Sequence, residues 1–111
     1  MRKRLPTWAG RSSFEYTGSV ATGTEIWYGR KPYRQRISAA HYSALLTHFS
    51  GATVGIGTSR TSPTPGSVGE WLQANVTKTA MASYVGPILL HEGYADRVTG
   101  ARSKIRSKPG R

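Results

Sequence analysis

Sixteen Lys and Arg against five Asp and Glu give this 111-residue chain a formal charge of +11, and the cations are clustered. Arg2, Lys3, Arg4 and Arg11 stand at the front. Arg30, Lys31, Arg34 and Arg36 occupy the first third, and Arg97, Arg102, Lys104, Arg106, Lys108 and Arg111 the end. Such groups form charge-assisted hydrogen bonds to phosphates, and each phosphate they neutralise releases a condensed counterion. A nucleic acid is therefore the first partner to expect, ahead of an anionic membrane surface or an acidic protein. Lys104 and Arg106 flank Ile105, so on a strand the two cations share one face and Ile105 points the other way. That alternation suits a strand lying along a phosphate backbone, or a solvated edge strand whose charge blocks aggregation. Trp27 and Tyr28 stand beside Arg30 and Lys31. They could stack on unpaired bases, although aromatic residues in a β-rich run more often build a core.

Other chemistries find little support. His41 and His48 are two helical turns apart, about 10 Å along an axis, which is too far for one metal ion, and His91 is remote. Glu15, Glu25, Glu70, Glu92 and Asp96 are few, and caps or charge partners account for them better than a two-metal centre. Gly55-Ile56-Gly57-Thr58-Ser59-Arg60 lacks the glycine spacing and the Lys-Ser/Thr step of a phosphate-binding loop. No serine is marked as a nucleophile. We expect no catalytic residue, no metal and no cofactor, hence a binding protein and not an enzyme. The absence of cysteine excludes disulfides and Cys-based metal sites. No apolar run approaches the ~20 residues of a membrane span. The basic start Met1-Arg2-Lys3-Arg4-Leu5-Pro6 has no apolar stretch behind it, unlike a secretory signal. A cytoplasmic protein is the expectation.

The length predicts one domain. Residues 1–12 read as a basic arm, residues 13–107 as the domain and residues 108–111 as a basic tail. Phe14-Glu15-Tyr16-Thr17 and Thr24-Glu25-Ile26-Trp27-Tyr28, joined by a turn-like segment, predict a β-hairpin within residues 13–37. Ser38 is a natural N-cap for a helix over 39–49, with Tyr42, Leu45, Leu46 and Phe49 on one face and Gly51 as its stop. Residues 52–57 alternate as a short strand, and 58–66 form a loop. Ser67-Val68-Gly69-Glu70 has the spacing of a capping box and predicts a helix over 68–75 that buries Trp71 and Leu72. Thr77 or Thr79 can cap a third helix carrying Met81, Val85, Ile88, Leu89 and Glu92. Gly86-Pro87 in its middle must kink or restart it. Residues 94–98 and 104–107 read as strands around a basic turn.

Taken in order, residues 39–107 give helix, strand, helix, helix, strand, basic turn and strand. Val68-Gly69-Glu70-Trp71-Leu72, Val76-Thr77-Lys78-Thr79-Ala80 and the Leu89-to-Gly93 step resemble the helix-turn-helix stretch of many bacterial regulators. The resemblance implies an α+β fold: a winged helix-turn-helix-like three-helix core, a small antiparallel β wing and an N-terminal β-hairpin, with 38–107 as the winged-helix-like part. It implies that the third helix enters a major groove, with Lys78, Thr79, Ser83 and Ala82 nearest the bases. The wing would supply Arg97, Arg102, Lys104 and Arg106. Arg2, Lys3 and Arg4 could act as a minor-groove arm, and Arg30 and Lys31 as further phosphate contacts. The third helix has no Arg, Asn or Gln after Lys78, so sequence preference should be modest.

The expected function is duplex DNA binding through a helix-turn-helix and a basic wing, as a regulator of transcription or an accessory factor of a mobile element. An RNA-binding or ribosome-associated protein is the alternative, and a module for an acidic protein partner the third class. The N-terminal third, residues 1–37, could pack beside the wing or form the surface of a homodimer.

Overall fold

Leu5, then Phe14 and Tyr16, then Thr24 and Ile26 alternate with polar residues. This period of two shapes the N-terminal third in the computed structural model, which describes residues 2–109. The strands are β1 (Lys3–Pro6), β2 (Ser13–Ser19), β3 (Gly23–Tyr28) and β4 (Tyr33–Ile37). They form one antiparallel sheet in the order β1-β2-β3-β4. Its inner face carries Tyr16 opposite Ile26, both fully buried. Its outer face carries a cross-strand row of Arg4, Glu15, Trp27 and Arg34. Gly110 and Arg111, half of the expected basic tail 108–111, lie outside the described residues, as does Met1.

Helix α1 (Ala39–His48) starts where the Ser38 hydroxyl accepts the backbone N–H of His41 at 3.1 Å. It buries Tyr42, Leu45 and Leu46, and the Tyr42 hydroxyl shares a 2.7 Å hydrogen bond with that of Thr24 on β3. Strand β5 (Thr53–Gly55) follows. Helix α2 (Val68–Asn75) is capped as its sequence demands: the Ser67 hydroxyl accepts the Glu70 N–H at 3.1 Å. The Glu70 carboxylate reaches back one residue beyond the cap and accepts the Gly66 N–H at 2.8 Å. Helix α3 (Ala82–His91) leads into β6 (Ala95–Val98) and β7 (Ala101–Ser107), and a second antiparallel sheet has the order β5-β7-β6. Ile105 of β7 packs inward, and Lys104 and Arg106 stay exposed.

The two sheets are joined through α3. Pro87 lies inside this helix and has no N–H to donate to the Ser83 carbonyl four residues back. That carbonyl accepts instead the backbone N–H of Trp8, from the β1–β2 loop, at 2.9 Å. Gly86 makes room for the indole, since a Cβ there would lie 2.7 Å from Trp8 Cε3 and 2.9 Å from Ile56 Cδ1. At the far end of α3, the Glu92 carboxylate accepts the Tyr16 hydroxyl and the Val20 N–H, each at 2.9 Å. Between these ties, Tyr84 meets Phe14 edge-on at 5.3 Å and stacks on Tyr28 at 4.7 Å.

These contacts correct the expected winged helix-turn-helix-like architecture. The chain is a small α+β fold with three helices and seven strands in two antiparallel sheets among the described residues. The expected hairpin is half of a four-stranded sheet, and that sheet packs on α3. Ala82, Val85, Gly86, Pro87, Ile88 and Leu89 of α3 are buried, so this helix cannot lie in a major groove. It begins at Ala82 without a side-chain cap, which leaves Thr77, Lys78 and Thr79 in the preceding loop. Residues 3–6, expected within a free basic arm, form the edge strand β1. No helix among the described residues is long and apolar enough to cross a membrane.

Trp8→Ala should cost about 3–5 kcal/mol of stability, and Glu92→Ala about 1–3 kcal/mol through its two stranded donors, both measured by urea unfolding. Burial holds the hydroxyls of Tyr16, Tyr42 and Tyr84 above the ordinary phenol range, and the Glu92 carboxylate adds to this at Tyr16. Below about pH 10 these phenols are protonated in both folded and unfolded chains. Above it the unfolded chain loses protons first, so stability should fall as pH rises past about 10. The fall should be shallower in Tyr16→Phe, and parallel profiles for the two proteins would contradict this.

Candidate nucleic-acid interface

The β1–β2 loop is closed on itself: Thr7 N–H donates to the Ser12 carbonyl and Gly10 N–H to that of Thr7, both at 2.9 Å. The closed loop carries Trp8 onto the β6–β7 hairpin. The indole Nε1–H donates to the Arg102 carbonyl at 2.7 Å. The Arg97 guanidinium lies 4.1 Å over the indole ring and donates to the Trp8 carbonyl at 3.2 Å. A register shift between Arg97 and Val98 marks a bulge in the hairpin, the kind of irregularity that re-aims a side chain.

Around this joint lies a cleft of about 690 Å³, lined by Trp8, Arg11, Ile56, Thr58, Arg97 and Arg102 among others. Three arginines, from the loop and both hairpin strands, therefore line one concavity. Its floor is fixed by the chain after β5. Ile56 N–H donates to the Ser103 carbonyl at 2.7 Å, and the Ile56 carbonyl accepts Gly69 N–H at 2.9 Å. That approach is possible because residue 69 has no Cβ, which would run into the Gly57 carbonyl. Thr58 extends into two neighbouring clefts. One, of about 620 Å³, includes Thr53, Ser103 and Lys104. The other, of about 420 Å³, is lined by Tyr28, Tyr33, Arg60, Thr79, Ser83 and Tyr84.

The acidic residues are spent elsewhere. Glu15 pairs with Arg2 at 3.3 Å, Glu25 with Arg34 at 3.5 Å, and Asp96 with Arg106 at 3.5 Å and Lys108 at 4.0 Å. Glu70 and Glu92 hold backbone N–H groups. Among the described residues, Arg11, Arg60, Arg97, Arg102 and Lys104 in the clefts have no carboxylate partner, and neither do Lys3, Arg4, Arg30, Lys31, Arg36 and Lys78. Charge left unneutralised beside concave walls is what draws an anion.

The residues expected to bind nucleic acid are thus partly gathered. Arg97 and Arg102 meet in the arginine cleft, and Lys104 lies in the cleft beside it. Arg106 is engaged with Asp96. Thr79 and Ser83 line the tyrosine cleft, and Lys78 is exposed in the loop before α3, while Ala82 is buried. Arg30 and Lys31 are exposed in the β3–β4 turn. Arg2 lies 3.9 Å over the Trp27 ring, Lys3 5.0 Å over that of Tyr16, and Arg4 donates to the Ser13 hydroxyl at 3.1 Å. These three are held on the N-terminal sheet and form no free arm. Trp8 and Tyr84 carry no expectation from the sequence, and Arg60 enters it only at the end of the 55–60 stretch that lacks the pattern of a phosphate-binding loop. A tryptophan in the short polar stretch Thr7–Ser13 was the available signal for a docked loop. Among the described residues no group of His, Asp and Glu could hold a metal ion. Compared with protein-family models, curated proteins and solved structures, the chain gives no match.

Arg97 stacks on Trp8 and Arg102 does not. Arg97→Ala should therefore cost about 0.5–2 kcal/mol, and Arg102→Ala should stay within about 0.5 kcal/mol of the parent. Urea unfolding of the two variants checks this, and equal losses would refute the assignment.

Proposed function

We propose that the protein binds nucleic acid, duplex DNA in the first instance, through the arginine cleft around Trp8. Affinity comes mainly from phosphates. The observation that carries this reading is the convergence of Arg11, Arg97 and Arg102 on one cleft without a carboxylate among them. Guanidinium groups are suited to phosphate because their planar fork can donate two parallel hydrogen bonds. The hairpin β6–β7 and the closed loop 7–12 offer these groups on fixed backbone, so little ordering entropy is lost on binding. Burial of α3 withdraws the helix expected to read base edges in a groove, which favours modest sequence preference. In this reading the chain is a binding protein that acts in the cytoplasm, and no catalysis is assigned to it.

A salt series of duplex titrations tests the proposal. Replacing Arg11, Arg102 and Lys104 together by alanine should weaken binding to all sequences alike. It should also flatten the slope of log K against log salt by up to about three. An unchanged slope, or no binding by the parent protein at about 50 mM salt, would contradict the reading. A preference for folded RNA over duplex DNA would move it to an RNA-binding protein.

A further inference from the structure

The tyrosine cleft is not needed for phosphate binding, yet it has the wrong make-up for a simple piece of core. Tyr33, at the start of edge strand β4, is 62% exposed and is the one large apolar side chain so exposed among the described residues. Its ring lies 5.8 Å from Tyr28 at 33°, and Tyr28 stacks on Tyr84 at 4.7 Å and 29°. The rings therefore form a short graded series, from solvent at Tyr33 to the half-buried Tyr84. Arg60 lines the same cleft, and Thr79 and Ser83 add hydroxyl groups. The turn that joins Tyr28 to Tyr33 carries exposed Arg30 and Lys31 at one end of the series. At about 420 Å³ the cleft falls within the roughly 300–1,000 Å³ common to small-ligand sites.

Single exposed aromatics are ordinary. Here the exposed ring adjoins Tyr28, which in turn stacks on Tyr84, beside a cleft with hydrogen-bonding walls that includes Arg60 and a turn that carries Arg30 and Lys31. A flat, polar-edged and negatively tethered ligand meets all of these at once, and a nucleotide base has that chemistry. The cleft also shares Thr58 with the arginine cleft, so a strand bound at one can reach the other.

We propose that an unpaired nucleobase, adjoining the phosphates held at Arg11, Arg97 and Arg102, stacks on Tyr33 in this cleft. Arg60, Arg30 and Lys31 take its flanking phosphates. The inference rests on the nucleic-acid reading above and makes it more specific: the preferred ligand is a duplex with a single-stranded extension, not a blunt one.

Fluorescence anisotropy with the full chain tests it, using a labelled blunt duplex and the same duplex with a single-stranded overhang, of DNA in one arm and RNA in the other. The parent protein should bind the overhang duplex more tightly. Tyr33→Ala should weaken that binding roughly 5- to 150-fold, the range for one lost base–aromatic stack, and leave the blunt duplex unchanged. Tyr33→Phe, which keeps the ring, should behave as the parent does. The arm in which Tyr33→Ala costs more identifies the sugar of the unpaired base. No overhang preference in the parent, or a preference that survives Tyr33→Ala, overturns this inference alone. A parent protein that binds neither duplex overturns the nucleic-acid reading and this inference with it.

Discussion

The backbone N–H of Trp8 donates to a carbonyl that Pro87 leaves without its helical partner, and much of the molecule is arranged around that bond. A proline inside a helix normally strands an acceptor four residues back. Here the stranded acceptor, Ser83, becomes a socket for a loop more than seventy residues upstream in sequence. Gly86 opens the space for the indole, the Arg102 carbonyl takes its Nε1–H, and Arg97 covers its face. One side chain thus links the first sheet, the central helix and the second sheet. Without it, Arg11 would sit on an untethered loop and the arginine cleft would lose a wall.

Charge is handled by the same logic. With five acidic residues against sixteen basic ones, the fold cannot neutralise itself, and its acids go to particular places. Two tie backbone N–H groups at helix ends, and three offset cations on the outer faces of the sheets. Exposed pairs of that kind contribute little stability. They leave Arg11, Arg97 and Arg102 around Trp8 without a carboxylate partner where the surface is concave, while Arg30, Lys31, Arg36 and Lys78 stay unpaired on the open surface. The backbone on both sides of the cleft is fixed by the loop 7–12 and the β6–β7 hairpin, and Arg97 is further held on Trp8.

Local patterns were legible in the sequence, and assembly was not. Ser38 and Ser67 cap the helices they were expected to cap, and helix 68–75 has the expected bounds. The element order from 39 to 107 follows directly from periodicity and capping. The third helix was placed too early because Thr77 and Thr79 are good cap residues. In the fold only a weak 3.5 Å contact joins the Thr77 hydroxyl to Thr79 N–H, and the helix waits until Ala82. Strand β4 was missed because Tyr33-Arg34-Gln35-Arg36 shows charge where apolar alternation is the usual signal. Strand β1 was missed for the same reason. Without β1 and β4 in the sequence pattern, nothing in the sequence shows the four-stranded sheet that covers α3, and the helix reads as exposed although it is buried. The candidate interface was half visible: Arg97, Arg102 and Lys104 belong to the basic cluster at the end of the chain, although the wing expected to carry them is not the fold they serve. Arg60, Tyr84 and Trp8 are brought in by tertiary contacts alone, and Gly86-Pro87 has a purpose only once Trp8 is seated on it.

The proposed binding of a phosphate polymer is tested most directly by where on the folded protein such a polymer makes contact. Backbone amide shifts in nitrogen-15 NMR spectra, followed as a short DNA duplex is added, locate that contact residue by residue. The largest changes should fall on residues 8–11, 56–60 and 97–104, with the outer face of the first sheet around Arg34 and Arg36 little affected. Changes concentrated on that outer face, or spread evenly over the exposed cations, would contradict it.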